Sequence, residues 1–157
     1  MPFLMRYPAK IRAGTVNSDI TTNIDFAPLF LDYARGSPVA GAQGRSFRAN
    51  VEGRTPKDWR KAMYYRYWMH NDNDHHVPGH YGIRTGRYKL VYYYGKPLGM
   101  RGAQPPDTVP EWELYDLKAD PREMRNIYSD PSRAKLVREL KAQLAALQRE
   151  YGDEPST

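Results

Sequence analysis

The segment at 62–94 reads AMYYRYW, then MHNDNDHHVPG, then HYGIRTGRYKLVYYY, and its two outer parts have the composition of β-strands. Their Tyr, Trp, Val and Ile side chains suit the pleated, half-buried surface of a sheet. Gly86 can take a positive φ without steric cost, so the sequence predicts a tight reversal that pairs 81–85 with 88–94. The polar middle part and its edges carry all four histidines of the chain: His70, His75, His76 and His80. A sheet that displays such a loop is the part of the chain best suited to contact a ligand.

Side chains along the second arm alternate between the two faces of a sheet. Residues 112–117 predict a further strand, and the Asp-Pro pair at 120–121 favours a short helix that runs to about Ile127. The two predicted faces of the second arm are Tyr88, Leu90, Tyr92 and Tyr94 on one side, and Lys89, Val91 and Tyr93 on the other.

The last predicted element is a long helix with a leucine stripe. Asp130 is a suitable N-cap, Pro131 suits the first helical position, and Gly152 ends the helix. The leucines recur at spacings of four, four and three residues, which places them on one helical face. Packing against the sheet is the role that this pattern favours. The stripe consists of Leu136, Leu140, Leu144 and Leu147.

The start of the chain predicts a strand and a short helix. Residues 2–8 read PFLMRYP, and such continuous apolar strands usually lie inside a sheet. This strand has no evident partner, so it is either the edge of a small sheet or an orphan from a longer protein. Asp25 is a plausible N-cap for a helix that Gly36 ends. The apolar face of that helix is predicted to hold Phe26, Leu29, Phe30 and Tyr33.

Together these elements predict an α+β fold: an antiparallel sheet with a short helix before it and a long helix after it. The chain has 157 residues and a mean hydropathy of −0.81, which is typical of one soluble domain. No segment has the roughly 18 apolar residues of a membrane helix, and the start lacks the pattern of a signal peptide. The absence of cysteine excludes a disulfide, a thiolate nucleophile and Cys-ligated zinc.

The composition of the loop and of the chain is compatible with more than one kind of functional site. Imidazoles and carboxylates at 70–80 could bind a metal, but their spacing matches no HExxH or EF-hand pattern and is ordinary for a turn. No Gly-x-Ser-x-Gly elbow or glycine-rich phosphate loop occurs. The tyrosines could stack nucleic-acid bases, yet no RNP-like string is present. The net charge of +6 is spread along the chain, which is typical of a solvated surface.

Six strings, in their order along the chain, resemble the C-terminal part of a type I sulfatase of the alkaline-phosphatase superfamily. They are MPFLMRYPAKI, NIDFAPLFLDYARG, GRSF, KDWRKAMYYRYW, VPGHYGIRTGRYKLVYYY and WELYDLKADPREMRNIY. With the leucine helix, the resemblance covers residues 1–152. The pair YYRYW and VPGHYGIRT is most similar to bacterial enzymes of the N-acetylglucosamine-6-sulfatase and N-sulfoglucosamine types, which act on sulfated aminosugars.

The resemblance implies a division of the chain. Residues 1–58 correspond to the last strand, a helix and a connector of the catalytic α/β domain. Residues 59–152 correspond to the C-terminal subdomain, a sheet of four antiparallel strands packed on the terminal helix. In the parent enzyme this subdomain closes one wall of the substrate pocket. Residues 153–157 are a tail.

The resemblance also implies what the chain lacks. The family's nucleophile is a formylglycine made from the Cys or Ser of a C/S-x-P-S-R motif near the enzyme's N-terminus, and no such motif is expected here. The calcium ligands also belong to that earlier portion. The chain is therefore expected to have no catalytic residue, metal site or cofactor of its own and to be inactive alone. Its expected partner is the N-terminal sulfatase portion, and the parent enzyme is periplasmic or secreted by analogy.

Two residues are predicted to bind substrate. His80, in the string PGHYG, corresponds to a histidine that reaches the sugar rather than the sulfur in the aminosugar sulfatases, and Arg84 is the second contact. A structural histidine bonded within its own loop is the alternative for His80. His70, His75 and His76 are interpreted as loop residues. The competing function is a free-standing binding module for sulfated glycans or other polyanions, which would use Arg84, Arg87 and His80.

Overall fold

A computed structural model describes residues 3–153, and the chain divides into two compact units, Met1–Lys61 and Ala62–Thr157. Within 3–153, no helix is long and apolar enough to cross a bilayer. The helices and strands are α1 at Phe26–Ala34, α2 at Arg48–Val51, β1 at Ala62–Tyr67, β2 at His80–Thr85, β3 at Tyr88–Tyr93, β4 at Glu111–Asp116 and α3 at Ala134–Tyr151.

The second unit is a four-stranded antiparallel sheet in the order β1-β2-β3-β4, with α3 packed on one face. Each strand pairs with its neighbour in sequence, so each link is a simple reversal. This architecture confirms the predicted α+β class. The alternation along β3 is also confirmed, because its even-numbered residues pack into the core under α3. That core consists of Tyr81, Ile83, Leu90, Tyr94, Leu114, Leu140 and Leu144.

Helix α3 begins and ends as predicted. The Asp130 carboxylate accepts the Ser132 N–H at 2.9 Å, a 3₁₀ turn at Pro131–Arg133 leads into the helix, and Gly152 takes φ 66° beyond its end. In the leucine stripe, Leu140 and Leu144 are only 3% and 2% exposed. Burying one such side chain stabilises a fold by about 1.5–3 kcal/mol, so the stripe fixes the helix to the sheet.

A buried ion pair joins the end of α3 to β1. Arg66, whose side chain is 8% exposed, donates to the Asp153 carboxylate at 2.5 Å, and Tyr64 donates to the same carboxylate at 2.6 Å. The guanidinium lies 3.4 Å from the centre of the Trp68 ring. Asp153, predicted to open a tail, thus contacts the sheet, whereas the rest of that tail lies outside the described residues.

The turn between β2 and β3 differs from the prediction. Gly86 has no positive φ; instead the Thr85 side chain closes the turn. Its Oγ1 accepts the N–H groups of Tyr88 at 2.8 Å and Arg87 at 3.3 Å. A side-chain hydroxyl that replaces backbone hydrogen bonds removes the need for a left-handed glycine.

The helix predicted near 121–127 is wrong. Glu123 takes a left-handed φ of 56°, which ends any helical turn. Ile127 donates to the Leu114 carbonyl at 2.9 Å, and the Asn126 side chain accepts the Leu114 N–H at 3.0 Å. The segment therefore lies along β4, where Asn126 and Ile127 form hydrogen bonds with the backbone of Leu114 at the edge of the sheet.

The first unit has a small core formed by Leu29, Phe47 and Trp59. Helix α1 ends one residue earlier than Gly36 indicated, since Arg35 takes the left-handed cap with φ 56°. Phe30 was predicted on the buried face but is 59% exposed. It follows Leu29 directly, and successive helical residues point about 100° apart, so both cannot face the same core.

Asp25 occupies the N-cap position of α1, as predicted, but its side chain makes no capping bond to that helix. It is fully buried, and its carboxylate accepts from Arg60 and from the N–H groups of Thr22 and Arg45, each at 2.8 Å. Burial acts to raise the pKa of Asp25, but these hydrogen bonds outweigh it and lower the pKa. The carboxylate thus stays charged and links three segments of this unit, at residues 22–25, 45 and 60.

The strand predicted at 2–8 is not formed by the residues that the structure describes. Residues 3–7 are irregular, and Leu4 is 92% exposed. A strand needs a hydrogen-bonded neighbour, and the described part of the first unit contains no strand to pair with it. Phe3 instead stacks on Phe26 with ring centres 5.0 Å apart.

Candidate functional site

The residues predicted to bind substrate lie on the face of the sheet opposite α3. Cross-strand partners share a face, and pairing joins Tyr67, His80 and Tyr93 in one row across three strands. Gly82 and Arg84 follow on the same face of β2, because side chains alternate along a strand. We name this surface the His80 face and define it by Tyr65, Tyr67, His80, Gly82, Arg84, Lys89 and Tyr93.

The two ring nitrogens of His80 differ in their hydrogen bonding. Its Nδ1 lies 2.8 Å from the Pro78 carbonyl oxygen, and a carbonyl can only accept, so Nδ1 carries the proton. Burial lowers the pKa of the His80 imidazole, opposed in part by this hydrogen bond. The ring is therefore neutral at pH 7, and its Nε2 presents a lone pair that can accept a hydrogen bond. One ring nitrogen of His80, Nδ1, is thus hydrogen-bonded within its own loop, as the alternative for this residue described, and Nε2 is the other ring nitrogen.

Three tyrosine rings surround the His80 imidazole. The ring centre of Tyr67 lies 5.3 Å away in a stacked arrangement, that of Tyr93 lies 5.0 Å away, and that of Tyr65 lies 6.0 Å away, edge-on. Burial, followed by the negative charge of Glu113, raises the pKa of Tyr93 to about 12. The surroundings of His80 are thus aromatic, and the charges of Lys89 and Glu113 act on its pKa in opposite directions.

Gly82 brings the Tyr65 ring down onto the sheet. A β-carbon at position 82 would lie 2.8 Å from the Tyr65 hydroxyl and 2.5 Å from the Leu90 carbonyl oxygen. The Tyr65 hydroxyl is buried without a hydrogen-bond partner, and burial raises its pKa. The glycine therefore creates the space that this aromatic side chain occupies.

Arg84 lies at the other end of the His80 face. Its side chain is exposed, and four residues along a strand place it about 13 Å from His80. Its cross-strand partner Lys89 is paired with Glu123 at 2.5 Å. Arg87, which the binding-module hypothesis also required, is committed to the Asp116 carboxylate with a contact of 2.7 Å. Arg84 is thus better placed than Arg87 to meet an anion.

His70 is a structural residue. It is fully buried, its Nδ1 accepts the Gly79 N–H at 3.0 Å, and its Nε2 donates to the Pro106 carbonyl at 2.9 Å. Gln104 also donates its N–H to the His70 carbonyl at 2.8 Å. His70 thereby ties the loop that precedes His80 to the connector after β3, which agrees with its interpretation as a loop residue.

His75 and His76 lie in the same loop but differ in their contacts. His75 pairs with Asp72 at 3.0 Å, whereas His76 is exposed and takes a left-handed φ of 52°. Among residues 3–153, no group of three or more His, Cys, Asp or Glu side chains could hold a metal ion. The predicted cluster therefore separates into one buried structural histidine, one ion pair and one exposed ring.

Sequence reasoning overlooked a match to the nucleophile motif. Ser129-Asp130-Pro131-Ser132-Arg133 fits the pattern C/S-x-P-S-R, contrary to the expectation that none occurs. The structure uses this string to start α3: Asp130 caps the 3₁₀ turn, and Ser129 is exposed. The described part of the chain contains no group of three or more His, Cys, Asp or Glu side chains that could hold a metal ion, so these residues do not fit a formylglycine–calcium centre.

Sequence reasoning also missed the aromatic surroundings of His80. Tyr65, Tyr67 and Tyr93 were interpreted as ordinary sheet residues. The signal was present in the register, because a hairpin that pairs residue 80 with residue 93 predicts which tyrosine faces the imidazole. Placing Tyr67 required the pairing of β1 with β2, which the intervening loop obscured.

Comparison with known proteins defines the class. The chain matches the family model for N-sulphoglucosamine sulphohydrolase, C-terminal, over residues 1–150. It is 43% identical over 155 residues to an N-acetylglucosamine-6-O-sulfatase of Bacteroides thetaiotaomicron, covering 98% of this chain and 25% of that protein. An ulvan-active sulfatase of Formosa agariphila is 26% identical, with coverage of 98% and 34%. A protein solved in complex with its substrate D-glucosamine-2-N,6-O-disulfate aligns with a TM-score of 0.82 and 42% identity, covering 95% of this chain and 28% of that one.

The fold and these matches define a C-terminal sulfatase domain of the alkaline-phosphatase superfamily. The chain belongs to the N-sulphoglucosamine sulphohydrolase C-terminal family. The resemblance inferred from the six strings is therefore confirmed. The chain spans between a quarter and about a third of the length of these relatives.

Proposed function

We propose that this chain is the C-terminal part of a sulfatase acting on sulfated aminosugars, and that its His80 face forms part of the substrate pocket. The observation that carries the proposal is the His80 imidazole, which has a free acceptor nitrogen among three tyrosine rings. The names of two similar proteins support the substrate class: one is an N-acetylglucosamine-6-O-sulfatase, and the other was solved in complex with its substrate, a disulfated glucosamine.

The proposed contacts follow from the chemistry of the face. A sugar hydroxyl donates to His80 Nε2, and the C–H edges of the pyranose ring pack against Tyr67 and Tyr93. The guanidinium of Arg84 binds a sulfo group, because its planar donors match the geometry of such an anion. In this proposal His80 recognises a hydroxyl group of the sugar, and Arg84 recognises a negatively charged sulfo group.

Hydrolysis of the sulfuric ester belongs to the longer enzyme in this proposal. The formylglycine nucleophile and calcium would be supplied by the N-terminal sulfatase portion, which is the proposed partner of this chain. We expect the purified chain to release no sulfate from aryl sulfates or sulfated glucosamine, with calcium and a formylglycine-generating system present. Ion chromatography of released sulfate measures this, and turnover above the blank would contradict it.

The site is tested by binding. In ¹H–¹⁵N spectra of the chain, D-glucosamine-2-N,6-O-disulfate should shift the amide signals of His80 and its row partners Tyr67 and Tyr93. Replacing His80 or Arg84 by alanine should weaken binding about tenfold, the equivalent of one lost polar contact of about 1.4 kcal/mol.

Arg138→Ala is the matched control, since Arg138 is an exposed arginine on α3, on the opposite side of the sheet. It should leave the affinity unchanged. Equal weakening by Arg138→Ala and Arg84→Ala would show a general attraction of polyanions to the positive chain and would contradict the proposed site. That outcome would favour a free-standing binding module for polyanions.

A further inference from the structure

The ion pair of Asp72 and His75 lies beside the His80 face. The Asp72 carboxylate accepts the His75 backbone N–H at 2.7 Å and His75 Nδ1 at 3.0 Å. The oxygen that accepts His75 Nδ1, Oδ2, also accepts the Tyr67 hydroxyl at 3.0 Å, whereas Oδ1 accepts the backbone N–H. One carboxylate therefore fixes the His75 ring, the loop and a tyrosine of the proposed site.

Tyr67 connects the two histidines. Its ring face stacks on His80 at 5.3 Å, while its hydroxyl holds the carboxylate that orients His75. The side chain of His75 is 67% exposed, whereas that of Asp72 is only 13% exposed. The imidazole therefore faces solvent, and the carboxylate that holds it is largely shielded from solvent. Because Nδ1 is engaged, Nε2 is the nitrogen that faces solvent.

The surroundings of the two rings shift their pKa values in opposite directions. The hydrogen bond and charge of Asp72, with a smaller effect of the nearby Asp74 carboxylate, raise the pKa of His75, whereas burial lowers that of His80. With Nδ1 of each ring engaged, a protonated His75 ring can donate from Nε2, and a neutral His80 ring can accept at Nε2. A donor and an acceptor thus flank the same tyrosine.

We propose that His75 is a second sugar-contacting residue, donating a hydrogen bond from Nε2 to an acceptor oxygen of the sulfated sugar bound at His80. This inference rests on the proposed function and deepens it. Asp72 and Tyr67 are then positioning residues, which hold the ring without touching the sugar through their polar groups. The loop would contribute to specificity as well as to folding.

The test follows the His75 imidazole directly. Carbon–proton spectra of the Cε1–H groups give the pKa of each histidine in the intact chain, with signals assigned from His75→Gln and His76→Asn. A neutral His75 ring, with its proton on Nδ1, cannot donate from Nε2. Binding of an acceptor oxygen must therefore raise the pKa of His75, and we expect a rise of about half a unit, or about threefold tighter binding to the protonated form, with D-glucosamine-2-N,6-O-disulfate.

Two variants sharpen the result. Tyr67→Phe keeps the ring beside His80 but removes the hydroxyl from Asp72, so the His75 response should shrink while His80 still responds. His76→Asn removes an exposed imidazole from the same loop and tolerates the left-handed backbone, so both responses should persist.

The outcomes separate the two proposals. A sugar that shifts the His80 signals without raising the pKa of His75, or that lowers it, overturns the His75 contact and leaves the proposed function standing. A sugar that shifts neither histidine overturns both. A rise that is unchanged in Tyr67→Phe supports the contact but contradicts the positioning role of Tyr67.

Discussion

At the scale of single residues, the neighbours of His80 and His75 give these two histidines opposite properties. Both belong to a segment that the sequence presented as one polar loop. Burial among three tyrosines lowers the pKa of His80, whereas the hydrogen bond to Asp72 raises the pKa of the exposed His75. The same imidazole thus acts as an acceptor in one place and as a donor in the other.

We expect the free chain to show a pKa below 6.5 for His80 and above 6.5 for His75. Because the folded pKa of His80 is depressed, its contribution to stability is complete above 6.5 and is lost as pH falls below that value. The contribution of His75 has the opposite sign: it is complete below 6.5 and is lost as pH rises through the elevated folded pKa. Histidine Cε1–H titrations measure both, and a His80 pKa at or above 6.5 would contradict the role of burial.

Gly82 is the second residue whose effect can be tested alone. Gly82→Ala should lower the free energy of unfolding by about 1–3 kcal/mol, because the new methyl group would collide with the Leu90 carbonyl and the Tyr65 ring. Urea denaturation followed by tryptophan fluorescence measures the change. Gly86→Ala is the control: a β-carbon there meets nothing within 4 Å, and no positive φ is required. Equal losses in the two variants would show that the Tyr65 contact is unimportant.

At the scale of elements, the ends of α3 are held differently from its middle. Leucines attach the middle to the sheet, whereas the C-terminal end is attached to β1 by the pairing of Arg66 with Asp153. Charge pairs in such surroundings specify geometry at the cost of desolvation. This pairing also explains why Asp153, directly after the Gly152 cap, belongs to the folded unit.

Asp153→Ala should destabilise the chain by about 1–3 kcal/mol, because it leaves the Arg66 guanidinium buried without its carboxylate. Adding Arg66→Met should restore part of the loss, since methionine fills the space beside Trp68 without an unpaired charge. Urea denaturation of the two variants and the wild type provides the comparison. A double variant less stable than Asp153→Ala would show that the arginine is held mainly by the aromatic ring.

At the scale of the whole molecule, the two units have cores of different size. The second unit buries seven large side chains in one cluster, and the first unit buries three. Small chains bury a small fraction of their surface and are marginally stable. Polar contacts, such as those of the buried Asp25 carboxylate, hold much of the first unit together.

We expect a fragment of residues 62–157 to fold alone and a fragment of residues 1–61 to remain unfolded. The reason is that hydrophobic burial within residues 1–61 is too small to offset the loss of chain entropy on folding. Dispersed amide signals and a cooperative urea transition would mark the folded fragment. A cooperative transition in 1–61 would show that its buried polar network suffices for folding.

The sequence by itself determined the strands of the four-stranded sheet, the terminal helix and the family of this protein. Alternating tyrosines, a regular leucine stripe and the cap at Asp130 are local signals, and each specifies an element without help from distant residues. The left-handed Glu123 and the position of Tyr67 beside His80 came only from tertiary structure. The physical reason is that these features depend on hydrogen bonds and packing between residues far apart in the chain, whose partners periodicity and composition do not identify.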